Sequence, residues 1–123
     1  MNRTFVHCAQ LLLEAGADQA APGGAVTVAL CGNWDHPGPC RWPHHTSAVW
    51  DEYLGNVRVI FVASAEEEIH VRALIDQALV SGECAGPDGK LSRWSVTSQG
   101  VGVLSSHEET LGVKIAGFRP AES

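Results

Sequence analysis

The stretch Val-Arg-Val-Ile-Phe-Val-Ala-Ser-Ala-Glu-Glu-Glu-Ile-His-Val-Arg-Ala-Leu-Ile-Asp-Gln-Ala-Leu, residues 57–79, holds two kinds of order in sequence. Val57–Ala63 is rich in β-branched and aromatic residues, and its unbroken apolar end, Ile60–Ala63, predicts a strand covered on both faces. Ser64 and Glu67 then stand three apart, the spacing of a capping box, in which each side chain satisfies a free backbone N–H of the other. Glu66, Glu67 and Glu68 fall where the helix dipole favours negative charge. Val71, Leu74, Ile75, Ala78 and Leu79 recur at helical spacing, and Gly82 supplies a stop. The glutamate run is therefore a helix start, not an acidic metal site. A strand that feeds a helix and then a further strand predicts a crossover with the two strands parallel.

Upstream, Phe5, Cys8, Ala9, Leu12 and Leu13 fit one helical stripe ended by Gly16. Ala25–Cys31 alternates Val26, Val28 and Leu30 against Thr27, Ala29 and Cys31, which predicts a strand. Residues 48–54 fit a short helix or a strand equally. Downstream, Gly86-Pro87-Asp88-Gly89 is a turn, and Leu91–Ser98 is a strand with Trp94 and Val96 facing inward. Ser105-Ser106-His107-Glu108-Glu109 resembles a second capped helix start, with Leu111, Ile115 and Phe118 as its stripe. Gly112 and Gly117 weaken that helix, and Leu111, Val113 and Ile115 also alternate as in a strand. The expected fold class is α+β. Its sheet is small, three- to four-stranded, with helices packed largely on one face. The expected order is helix, strand, strand, helix, strand, then helix or strand.

The chain has 123 residues, which suits one domain spanning 1–123. With 8 Lys and Arg against 14 Asp and Glu, it lacks the basic excess of a nucleic-acid binder. No run reaches the roughly 18 apolar residues of a membrane span. Ala15-Gly16-Ala17 has the small-x-small form of a signal-peptidase site, but His7, Gln10 and Glu14 break the apolar run expected before it. The expected compartment is cytoplasmic, where thiols stay reduced and clustered Cys and His favour metal binding or catalysis over bridging.

Residues 31–50 carry the chemistry. They contain Cys31, His36, Cys40, His44 and His45, three of the four Trp and three of the six Pro. Two thiolates and two imidazoles suit Zn²⁺; Cu⁺ accepts the thiolates, and Ni²⁺ or Co²⁺ the imidazoles. The expected ligand set is Cys31, His36, Cys40 and His44. His45 is the substitute for either His, because adjacent side chains diverge in extended backbone. Asp35 or Asp51 would be the base if an open coordination position activated water. The spacing matches no standard zinc motif, so three functions stand side by side. They are a metal-binding domain with Zn favoured, structural or regulatory; a metal-free interaction or ligand-binding module; and a small metal- or thiol-dependent enzyme acting at this loop. The same loop with a Cys31–Cys40 disulfide, or as plain packing, is the ordinary structural alternative. Cys8 is expected in the core, His70 beside Glu66 on the surface, and Cys84 at a helix-to-loop junction. Partners other than a metal ion are not named by any motif, although pairing edge strands in a homodimer is one way to protect a small sheet.

Overall fold

The computed structural model describes residues 2–31, 42–86 and 88–117. The elements run β1 (Asn2–Leu13), α1 (Ala21–Cys31), β2 (His44–Asp51), β3 (Leu54–Ser64), α2 (Glu68–Val80), β4 (Glu83–Ala85), β5 (Leu91–Val101) and α3 (Ser106–Gly117). The five strands form one antiparallel sheet in the order β2-β3-β1-β5-β4, curled into a half-barrel. The fold is α+β, as expected, but the order is strand, helix, strand, strand, helix, strand, strand, helix.

Two expectations about individual elements are corrected, and one left open is resolved. Residues 2–13 are a strand, not a helix. Phe5, His7, Ala9, Leu11 and Leu13 face α1 and α2, while Val6 and Cys8 face the opposite way under the chain that follows β5. β1 is the middle strand, paired with β3 from Asn2 to Leu12 and with β5 from His7 to Leu13. A strand covered on both sides carries apolar residues on both, and those happen to include a set with helical spacing. Gly16, with φ +82°, turns the chain after this strand instead of ending a helix.

Residues 21–31 are a helix, not a strand. Pro22 sits in its first turn, where its missing N–H is no loss. Pro22, Ala25, Val26 and Leu30 form its buried stripe, and α1 packs beside α2. With Thr27 its one polar side chain, this segment shows a Val-Thr-Val alternation and no polar face, and tertiary burial makes it a helix. Residues 48–54 divide: β2 runs to Asp51, and Glu52-Tyr53 make a two-residue hairpin turn in which Glu52 has φ 53°. The three-residue β4 and its pairing with β5 add a fifth strand.

The opening stretch behaves as expected. Val59–Ala63 are all buried. Glu67 N–H donates to Ser64 Oγ at 3.2 Å, and Ser64 N–H donates to Glu67 Oε1 at 3.3 Å, so the capping box forms over the turn preceding α2. Val71, Ile75 and Leu79 are the buried stripe. Gly82 has φ +73°, and the Trp94 indole N–H reaches the Leu79 carbonyl at 2.8 Å, satisfying an acceptor in the last turn of α2. β3 and β5 do run parallel, but β1 lies antiparallel between them.

Residues 106–117 are a helix, and the second capping box forms between Ser105 and Glu108 at 2.9 and 3.1 Å. α3 lies on the face opposite α1 and α2. Its Gly112 is buried so close to Thr4 of β1 that a Cβ there would stand 2.3 Å from the threonine hydroxyl. The glycine that weakens the helix is thus the residue that lets it seat on the sheet.

Candidate functional site

The segment 32–41 leaves the C-terminal end of α1 and returns to β2, so its two described ends are Cys31 and Trp42. His36, Cys40, Asp35 and Trp34 lie outside the described residues. Cys31 is the last residue of a helix, not the end of a strand, and stands one helical turn beyond Thr27.

The returning end is fixed by packing. Trp42 is 6% exposed. Its indole N–H donates to Glu67 Oε2 at 3.3 Å, and its ring meets the His70 ring edge-on at 5.6 Å. His70 is therefore on the surface, as expected, with Trp42 as its ring contact. The Pro43 carbonyl accepts from Val62 N–H at 2.9 Å and locks the start of β2 onto β3.

His44 follows, turned toward α1. Its Nδ1 lies 3.1 Å from the Trp42 carbonyl and its Nε2 3.2 Å from Thr27 Oγ1. A carbonyl only accepts, so Nδ1 carries the hydrogen and the neutral ring keeps its lone pair on Nε2. The Thr27 hydroxyl, which also lies 3.1 Å from the Gly23 carbonyl, is shared between the two acceptors. Burial pushes the imidazole below its ordinary pKa of 6.5; the hydrogen bond to Trp42 opposes this, and neighbouring His45 adds to it. The result is a neutral imidazole with Nδ1–H held by a backbone carbonyl and Nε2 accepting from the Thr27 hydroxyl.

His45 points to the opposite face of β2 and is exposed. His44 and His45 thus diverge as the sequence predicts. Asp51 closes the far end of β2, seven positions from His44 or about 23 Å of extended strand, too far to act as a base there. Among the described residues no group of three or more His, Cys, Asp or Glu converges in a way that would hold a metal ion.

A second constellation, missed by sequence reading, stands on the opposite face of the sheet. Arg58 of β3 makes a two-pronged ion pair with Glu108 of α3, Nε to Oε2 and Nη2 to Oε1, both at 2.6 Å. Its Nη2 also donates to the Val103 carbonyl at 2.7 Å, and its Nη1 to Cys8 Sγ at 3.4 Å. Cys8 is half-buried here, beside Gly102, and not on a helix stripe. The guanidinium holds the Glu108 carboxyl down at about 2, against an ordinary 4.5, with help from the Ser105 N–H. A cavity of about 350 Å³ opens beside this pair, lined by Cys8, Gln10, Asn56, Arg58, Ser98 and Gly100. Gln10 donates to Asn56 at 3.3 Å and accepts from Thr97 at 3.0 Å. The signal available in sequence was Arg58 itself, a lone charge inside an otherwise apolar strand.

On the face of the sheet that α1 and α2 cover, His7 is 5% exposed, with Nε2–H donating to Gln99 at 3.0 Å and Nδ1 3.4 Å from an Arg72 donor. Arg72 also donates to Glu68 and the Val6 carbonyl, at 2.8 Å each, and lies over the Phe5 and Phe61 rings. Every one of these groups is used within the fold. Cys84 is half-buried on β4, and burial raises its thiol pKa. Among the described residues no helix is long and apolar enough to cross a membrane. Compared with known proteins, the chain matches no family model, no curated protein and no solved structure.

Proposed function

We propose that this chain is a small transition-metal-binding domain, with Zn²⁺ favoured, whose ligands are Cys31, His36, Cys40 and His44. The observation that carries it is His44: half-buried, kept neutral, its Nδ1–H fixed on the Trp42 carbonyl, and in contact with α1 one turn before Cys31. Two thiolates and two imidazoles give a closed shell, which suits a structural or regulatory ion better than a reacting one. His45 leaves the set because it faces the other side of β2. Asp51 is too distant to serve as a base, so the enzyme alternative loses its described candidate. A cytoplasmic home, where the thiols stay reduced, fits this role.

The test is elemental analysis of protein purified without added metal, set against a Cys31→Ser, Cys40→Ser variant and a His44→Ala variant. About one equivalent of Zn in the parent, and a large loss in both variants, is the expected result. Under roughly a tenth of an equivalent in the parent ends the proposal. A second function, a metal-free ligand-binding module, is favoured by one observation, the cavity beside Arg58 on the other face, where Gln10, Asn56 and Ser98 stand among apolar neighbours. It predicts thermal stability indifferent to chelator, where the metal site predicts a fall.

A further inference from the structure

The sheet ends in two edges of different character. β4 is three residues long, begins with Glu83, and has α1 packed beside it. Short length, charge and cover are the usual protections of an edge. β2 is less protected: its one carboxylate, Asp51, stands at its last position, and α1 touches one of its faces through Thr27 and His44 without pairing with its outer row. It runs eight residues in unbroken register with β3, and it contains no Lys, Pro, Gly or bulge. The Val62 N–H to Pro43 carbonyl bond sets the ladder phase. In an antiparallel pair, bonded and non-bonded positions alternate. His45, Ser47, Val49 and Asp51 therefore bond to β3, and the N–H and C=O groups of Thr46, Ala48 and Trp50 point away from it. Among the described residues nothing pairs with that outer row. Beside it Val49, facing the side opposite α1, is 73% exposed.

The structure assigns this edge to a second copy of the same chain, paired antiparallel about a twofold axis at Ala48. Charge and phase select that register. Centred on Ala48, Thr46 of one copy bonds with Trp50 of the other, and Ala48 with Ala48, using the outward groups in phase. The intervening positions are the closer pairs, about 4.5 Å between Cα atoms. There His45 meets Asp51 twice, once on each side of the axis, and Ser47 meets Val49. The neighbouring in-phase register, centred on Ser47, sets His45 against Val49 and Asp51 against Pro43, and so loses both imidazole–carboxylate pairs. An isologous contact of this kind closes on itself and leaves no edge for further growth along β2. Two five-stranded sheets become one of ten strands, and Val49 gains cover.

Sedimentation equilibrium of the full chain, with and without chelator, is the first measurement. The expected mass is twice 13.1 kDa in both conditions. Ala48→Lys sets two ammonium groups directly opposite each other across the axis, at a position already exposed in the single chain. It should raise the dissociation constant at least about tenfold, a change of ~1.4 kcal/mol, with an unchanged circular dichroism spectrum. Ala48→Cys provides the independent check: mild oxidation should yield a cross-linked dimer beyond that of the parent chain, because paired Cα atoms about 5.5 Å apart admit a disulfide. Asp51→Cys, remote from its own copy across the axis, should give none. A parent chain of 13.1 kDa at all concentrations overturns the assignment. So does a dimer in which Ala48→Cys fails to cross-link, or cross-links no better than Asp51→Cys.

Discussion

The two faces of the sheet are closed by different physics. Toward α1 and α2 lie Ala9, Leu11, Val57, Val59 and Phe61, all buried, with Phe5 stacked on Phe61 at 5.4 Å. Each fully buried side chain of this size contributes about 1.5–3 kcal/mol, and no single contact is indispensable in kind. Toward α3, only Val6, Ile60 and Val62 are buried apolar residues of β1 and β3; Thr4, Cys8, Gln10, Asn56 and Arg58 are among the others on this face. Among the described residues of α3, Gly112 approaches the sheet closely and Glu108 pairs with Arg58. Area secures the first face, and a few specific contacts secure the second.

Substitutions can break or sharpen that contrast. Phe61→Ala on the broad face should cost the most, about 3–5 kcal/mol in denaturant unfolding, since it removes a fully buried ring from under two helices. Gly112→Ala on the narrow face adds one methyl group and should still cost about 1–3 kcal/mol, because three atoms of Thr4 stand within 3.0 Å of the new Cβ. A cost near zero would show that α3 does not depend on its close seat.

Glu108→Gln should cost roughly 1–2 kcal/mol at neutral pH, trimmed by solvent screening because Arg58 is partly exposed. The pH dependence gives a sharper readout. The Glu108 carboxyl titrates at about 2 in the folded chain and at an ordinary 4.5 when unfolded. Its contribution is therefore complete above 4.5 and is lost as pH falls from there through about 2. Melting temperature measured across that window should fall more steeply in the parent than in Glu108→Gln. The smallest effects belong to the caps. Ser64→Ala and Ser105→Ala should each cost about 0.5–1 kcal/mol, and a matching loss at the two sites would show that the faces differ in packing and not in helix initiation.

Legibility in the sequence followed locality. β3, the helix after it and both capping boxes were readable because their signals lie within a few residues of one another. β1 and α1 were read the wrong way round, since Phe5–Leu13 has apolar residues on both faces of a central strand and Ala21–Cys31 has no polar face to show its period. Only the neighbours of each decide, and those are supplied by chain distant in sequence. The divergence of His44 from His45 was legible from strand geometry alone. The burial of His44 against Thr27 was not, because it required residues 21–31 to be a helix. Arg58 and Glu108, 50 positions apart, carried no joint signal.

Both capping glutamates have a second commitment. Glu67 caps Ser64 through Oε1 while its Oε2 takes the indole N–H of Trp42, 25 positions earlier. Glu108 caps Ser105 through Oε1 while both its oxygens hold Arg58. Each helix start is thus wired to a distant part of the chain by the same carboxylate that starts it. Fraying of the first turn of α2 gives up the anchor of Trp42, and fraying of α3 strands a guanidinium against the sheet. Hydrogen exchange should find the first-turn amides of both helices opening with the strands they report on, in one cooperative step, where helix ends ordinarily melt by themselves.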